Sequence, residues 1–239
     1  MFINNTLQIS VIFTRMSHTS IFGRLPYDLL SSLGLTCDIS VFSKSYNIND
    51  VKDQKHDRVI FFFNKNQKLI YNDVRKFGFI KILNEKKLKN NLHLKNLGPE
   101  PLRKKFNYAY FKEYIIDRNR VIKDILMDQK FVSGIGNIYA NEILFLSKVK
   151  PTRNVKNLSE FEIKKIIKLT KKVLSNAIKL GGSSIKDFSS SNGKKGSFQQ
   201  HFSVYGKKGD LCSNSGCKKK IIKSSISNRA TFFCSNCQK

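Results

Sequence analysis

Four cysteines close the chain in two pairs. Cys212 and Cys217 are separated by four residues, Cys234 and Cys237 by two, and sixteen lie between the pairs. A tail this short cannot bury a core of its own, so something else must hold it. Two cysteine pairs on two turns place four thiolates tetrahedrally around one zinc ion, and metal binding then supplies the folding free energy. Disulfides are the competing use of the same side chains, and they belong to oxidising compartments. Cys37 stands apart and reads as a small buried hydrophobe. No run approaches the roughly 18 apolar residues that a membrane span needs. The opening MFINNTLQISVIF lacks the basic region and the cleavage site of a signal peptide. The expectation is a cytoplasmic, monomeric protein with no membrane partner, whose paired cysteines are ligands.

Charge narrows the partner. Lys and Arg number 44 against 17 Asp and Glu, an excess that repels itself unless a polyanion neutralises it. Nucleic acid is the expected polyanion, and a merely solvated basic surface is the alternative. The excess is uneven: residues 1–45 hold only Arg15, Arg24 and Lys44 against Asp28 and Asp38. That first segment mixes short apolar runs with Gly, Pro and Ser and sustains neither a strand nor a helix period.

From Arg58 onward the pattern is legible. RVIFFF, the turn NKNQ and KLIY read as a β-hairpin, and FGFIKIL as a further strand. After GPEP the period lengthens. Asn107 caps a helix whose apolar stripe runs through Tyr110, Phe111, Tyr114, Ile115, Ile122, Ile125 and Leu126. A second helix opens at Asn137 and stops before Pro151. A third begins with the capping box Ser159 to Glu162, buries Ile163, Ile166, Ile167, Val173, Leu174 and Ile178, and stops at Gly181 and Gly182. The turn FVSGIGNIYANE places Gly134 and Gly136, both expected at positive φ, before the helix at Asn137, whose free N–H groups form a phosphate seat. A tight turn needing glycine for packing alone is the other reading of the same residues.

Taken in order, KHDRVIF, DVRKFG, LGPEPL, LMDQKFVSGIGNIYANEILF, GGSSIKDF, FQQHFSVYG and RATFFCSNCQ, spread over residues 55–238, resemble the formamidopyrimidine-DNA glycosylase family, bacterial base-excision repair enzymes with glycosylase and AP lyase activity. LGPEPL and FQQHF resemble its oxidised-purine branch. The resemblance implies an α+β protein: the remainder of an N-terminal β-sandwich over 46–100, a helix-two-turns-helix DNA-binding region over 106–180, a lesion-covering loop and strand over 181–204, and a zinc-finger β-hairpin over 205–239. It implies one structural zinc and damaged double-stranded DNA as partner, with use at the bacterial nucleoid. By the same resemblance Asn137 and the catalytic Arg229 grip phosphates beside the lesion, His56 contacts DNA, Arg75 fills the gap left by the extruded base, and Phe77 is the wedge that kinks the duplex. Unstacking a base makes such insertions useful, although Phe77 by itself also reads as a core aromatic. Asn119 falls where the family carries a DNA-contacting basic residue, and Arg118 and Arg120 flank it as substitutes. GGSSIKDFSSSNGKKGSFQQHF has the Gly and Ser content of a lid, or of a plain linker.

The sequence also departs from the family. An N-terminal proline nucleophile, a glutamate beside it and a lysine on a later hairpin have no counterparts: residue 2 is Phe2 and no PELPEVE-like stretch occurs. Residues 1–45 therefore read as atypical, through a frameshift or a misassigned start, with family sequence from about residue 46. The 239-residue chain is expected not to form a borohydride-trappable imine, and a catalytically inactive damaged-DNA-binding zinc protein is the alternative function. An RNA-binding zinc ribbon fits the charge and the cysteines but not DVRKFG together with GIGNIYANE. The first cysteine pair is also wider than the family's usual spacing of two residues, within the range zinc sites allow.

Overall fold

The computed structural model of the protein describes residues 95–183 and 197–239, Lys55, and the backbone of four strands nearer the N-terminus. The chain divides into two compact units, Met1–Lys95 with Lys186–Lys195, and Asn96–Ile185 with Gly196–Lys239.

In the first unit, β1 (Ile9–Arg15) pairs antiparallel with β4 (Gly78–Asn84), from Ile9 opposite Asn84 to Arg15 opposite Gly78. The hairpin expected from RVIFFF and KLIY is present as β2 (Asp57–Phe62) and β3 (Lys68–Asn72), with a register shift between Asp57 and Val59. β1 corrects the reading of the first 45 residues as unpatterned. ISVIFTR alternates Ile9, Val11 and Phe13 with Ser10, Ile12 and Thr14, a period-2 signal interrupted only by Ile12.

The second unit is helical at its centre. Asn107 caps α1 (Tyr108–Ile115), its side chain accepting from the Tyr110 N–H at 3.0 Å. The apolar stripe continues past Ile115, but the helix does not. Residues 120–122 run extended against 153–155, through a bridge between Val121 and Asn154 and hydrogen bonds from Val155 N to Arg120 O and Ile122 N to Arg153 O. A separate α2 (Ile122–Met127) follows. Phe131 is the hub on which these pieces pack: its ring centroid lies 4.9 Å from Phe111, 4.7 Å from Tyr114 and 5.8 Å from both Phe106 and Tyr110. Such pairs add about 0.5–1.5 kcal/mol each beyond area burial.

α3 (Asn137–Ser147) runs through the middle, with nine of its eleven residues buried. Four of them, Asn137, Asn141, Glu142 and Ser147, are polar, and burial is tolerable because each is hydrogen-bonded. The Glu142 carboxylate accepts the N–H groups of Ser203, Val204 and Tyr205 at 2.7, 3.0 and 2.8 Å. α3 ends as expected ahead of Pro151, with Lys148 left-handed at φ 62°.

α4 (Glu160–Lys179) opens with both halves of the Ser159–Glu162 capping box formed. Ile163, Ile166, Ile167, Val173 and Leu174 are buried with Thr170 and Ala177 between them. Ile178, expected inside, is 56% exposed. It lies one position beyond Ala177, about 100° around the helix from the buried stripe. Among the described residues no helix is long and apolar enough to cross a membrane.

Gly98, in LGPEPL, passes so close to the loop after α2 that its N–H donates to Gln129 O at 2.8 Å. A Cβ added there would sit 2.3 Å from Phe131 O and 2.7 Å from Lys130 O, both backbone. Gly98→Ala is expected to cost about 3 kcal/mol through overpacking against atoms that cannot rotate away. Thermal unfolding followed by circular dichroism should show Tm lowered by roughly 10 °C. An unchanged Tm would mean that the 98–101 segment moves freely.

Candidate nucleic-acid interface and thiolate cluster

The entrance to α3 is a hydrogen-bonded turn. Gly134 has φ 85°, whereas Gly136, at φ −115° and ψ −176°, is ordinary extended backbone, which corrects the expectation of positive φ at both glycines. Gln129 staples the turn, accepting from Gly134 N at 2.8 Å and donating to Ile135 O at 3.0 Å and Met127 O at 3.3 Å. Packing of the loop therefore uses Gln129. The first-turn N–H groups of α3 have no acceptor within the helix and carry its positive dipole end, as an anion seat requires.

Asn137, the first residue of α3, is buried, and its side chain is turned toward the C-terminal hairpin. That hairpin is β5 (Ile222–Ile226) and β6 (Arg229–Phe233), paired antiparallel with Ile226 opposite Arg229. Asn137 Nδ2 donates to Ala230 O at 2.9 Å, and Phe232 N donates to Asn141 Oδ1 at 2.7 Å. Asn141 Nδ2 in turn donates to Asn137 O at 2.6 Å. Two asparagines one helical turn apart thus bind alternate positions of β6, Ala230 and Phe232. Asn137 and the residue following Arg229 are brought together.

Lys123, which the sequence reading passed over, completes this contact. It is fully buried, and its Nζ donates to Thr231 Oγ1 at 2.6 Å and to Ala230 O at 3.3 Å. Thr231 Oγ1 passes the bond on to Arg229 O at 3.0 Å. Burial lowers the Lys123 pKa to about 8; the neighbouring Asp124 raises it and the Arg229 cation lowers it. A signal was present in the sequence: VIKDILM sets a lysine beside Ile122, Ile125 and Leu126 on a six-residue helix with four buried positions.

Asn119 is exposed and accepts on Oδ1 from Asn154 Nδ2 at 2.5 Å, which leaves its amide N–H groups as donors. Its flanking arginines are already engaged. Arg118 lies 3.9 Å over the Tyr114 ring and donates to Tyr114 O at 2.7 Å, while Arg120 pairs with Asp128 at 2.7 Å. Both remain exposed at the surface beside Asn119. His56, Arg75 and Phe77 lie outside the described residues, as does most of the Gly- and Ser-rich loop. The two ends of that loop meet: Ser183 and Ser197 form an antiparallel bridge, and the Tyr139 hydroxyl of α3 lies 3.3 Å from the Ser183 hydroxyl.

The four tail cysteines converge. Their Sγ atoms all lie within 4.8 Å of one another, with Cys212 to Cys237 at 3.8 Å and Cys217 to Cys234 at 3.7 Å. A disulfide needs about 2.05 Å, so none is formed. Tetrahedral sulfurs at about 2.3 Å from a common centre lie roughly 3.8 Å apart, so the residues fit a four-thiolate metal site. Gly216 at φ 75° turns the wider first loop back on itself. Backbone N–H donation from Lys219 lowers the Cys217 thiol to about 7, whereas burial and the adjacent thiols push Cys237 up to about 12. Only a cation would let all four carry charge together. The cluster is fastened to the end of α3 as well, because Gln238 accepts from Cys234 N at 2.9 Å and donates to Val149 O at 2.9 Å.

Residues 97–189 match the family model described as the formamidopyrimidine-DNA glycosylase H2TH domain. The formamidopyrimidine-DNA glycosylase of Rickettsia canadensis is 39% identical over 212 residues, 89% of this chain and 75% of that protein. The MutM (Fpg) protein of Thermus thermophilus superimposes with a TM-score of 0.73 at 30% identity, covering 82% of this chain and 73% of that one. Lactococcus lactis Fpg, in a complex with DNA containing an abasic site, gives a TM-score of 0.73 at 37% identity over 80% and 69% of the two chains. A match 212 residues long cannot fit between residues 46 and 239, so family sequence reaches into the first 45 residues, further than the motifs from residue 55 onward indicated. With a helix-two-turns-helix core, a hairpin docked on the entrance to its central helix and a four-cysteine cluster behind that hairpin, the chain belongs to the formamidopyrimidine-DNA glycosylase family.

Proposed function

We propose that the protein acts in base-excision repair on double-stranded DNA, as a glycosylase and AP lyase of the oxidised-purine branch, and that the second unit is its phosphate grip. One observation carries this reading: Asn137 and Lys123 share the Ala230 carbonyl, which holds the strand that begins with Arg229 against the positive end of α3. A phosphate seated on the first turn of α3 would meet backbone donors there and the Arg229 guanidinium alongside. Asn119 contributes a neutral amide donor in place of a cation.

His56, Arg75 and Phe77 are assigned to the first unit as DNA contact, gap filler and wedge, on the strength of KHDRVIF and DVRKFG. That unit is read as the family's β-sandwich, residues 106–180 as the helix-two-turns-helix domain, 181–204 as the lesion loop with its strand, and 205–239 as a zinc finger. Cys212, Cys217, Cys234 and Cys237 would hold one zinc ion, which when bound supplies rigidity to the hairpin. The chemistry of base release is not assigned to any of these residues, whose work is binding and positioning.

The test compares two duplexes that differ by one abasic site. The abasic duplex is expected to bind tighter by roughly a factor of ten or more, because extruding an intact base costs a few kcal/mol that the abasic site does not demand. Both affinities should fall steeply with salt, as counterions leave the neutralised phosphates. Equal affinity for the two duplexes would reduce the protein to a generic basic binder.

A further inference from the structure

The turn joining β5 to β6 is Ser227–Asn228, and both residues are left-handed, at φ 48° and 57°. A two-residue hairpin loop with positive φ at both positions is the type I′ turn, for which Asn-Gly is the favoured sequence. Asn228 tolerates this conformation, but Ser227 has neither the permissiveness of glycine nor the local hydrogen bonding of asparagine. The two-residue sequence therefore does not select the turn by itself.

Support comes from 103 positions away, where Asp124 Oδ2 accepts from Ser227 Oγ at 2.7 Å. Asp124 lies in the first turn of α2, next to Lys123, which binds β6 at Ala230 and Thr231. One short helix thus holds the hairpin twice, by its tip and by its strand, and Arg229 lies between the two fastenings. As a bare charge Asp124 would oppose phosphate, in a chain where basic groups outnumber acidic ones 44 to 17.

We propose that Asp124 is a positioning residue, which through Ser227 keeps the hairpin tip in its left-handed turn and so aims Arg229 at DNA. The proposal rests on the reading of Arg229 as a phosphate ligand. Its chemistry is that of a tether rather than a binding group, and it predicts a dependence on turn sequence that a simple charge effect does not share.

The experiment measures abasic-duplex affinity over a range of salt for S227A, D124A and R229A, and for D124A in an S227N/N228G background, with zinc content and amide exchange at 226–229 in the free proteins. S227A is expected to weaken binding about fivefold, the worth of roughly one hydrogen bond. Its salt slope should fall by up to about 0.9 as one phosphate contact loosens, with zinc retained and amide exchange faster. D124A should weaken binding in the native turn but not in the S227N/N228G background, where the turn sequence holds itself. If D124A tightens binding equally in both backgrounds, Asp124 acts as a charge alone and the proposal is overturned. If exchange rises as expected while R229A binds like the unaltered protein, the reading of Arg229 fails, and Asp124 is left as a stability contact only, which also overturns the proposal.

Discussion

Metal-free protein, or a Cys234→Ser variant, is expected to lose DNA affinity by roughly a hundredfold while keeping most of its helix content. The cause is the small second core, made of Phe145, Val204, Cys212, Ile221, Phe232 and Cys234. Two of its six members are cysteines of the cluster, so the core and the metal site stand or fall together. Structural zinc sites contribute on the order of 10–16 kcal/mol of apparent folding free energy to modules of this size. Without it, β6 leaves Asn137, Asn141 and Lys123, and Arg229 has no fixed position. The core around Phe131 contains no cysteine and should persist. Metal analysis should find one zinc per chain in the unaltered protein and well under one in the variant, with anisotropy on abasic duplex reading the affinity. Returning zinc to the metal-free protein should also release protons, because free thiols are largely protonated at neutral pH and bind zinc as thiolates. Full DNA affinity without metal would sink the assignment of the cluster as the platform for Arg229.

Lys123→Met is expected to make the protein more stable at neutral pH and a poorer DNA binder. The folded-state pKa of Lys123 is lowered to about 8 from 10.5. Between those values the unfolded chain binds more protons than the folded one, so stability rises with pH across that window. Below about pH 8 the folded protein carries the whole cost of the buried ammonium, about 3 kcal/mol by the size of the shift. Methionine removes that cost and nearly keeps the volume. It also leaves few polar groups orphaned, since Ala230 O still accepts from Asn137 and Thr231 Oγ1 still donates to Arg229 O. The gain in Tm should therefore be clear at pH 7 and gone near pH 10.5. Abasic-duplex affinity should fall about tenfold at pH 7, in line with the loss of a charge-assisted hydrogen bond that fixes β6. The decline in affinity expected for the unaltered protein from pH 7 to 9, as Lys123 loses its proton, should be absent from the variant. A variant destabilised equally at pH 7 and pH 10.5 would show that Lys123 is held by packing rather than strained by burial.

Features written within a few residues were open to reading from sequence. The capping box of α4, the Asn107 cap, the stop of α3 before Pro151 and the hairpin of β2 and β3 each depend on neighbours inside one turn or one loop. The thiolate cluster was legible for a related reason: paired spacing fixes two ligands locally, and the metal requires the other two. What the tertiary structure alone decided is carried by groups distant in sequence. The stripe from Tyr110 to Leu126 suggested one helix, and it breaks because residues 120–122 find backbone partners at 153–155. Lys123 became buried, and Asp124 tied to Ser227, only when a hairpin more than a hundred residues later docked on α2. A local pattern specifies an element because its hydrogen bonds close within that element. A long-range contact has its partner outside any such window, so its burial, its charge state and its direction are settled only when the chain has folded.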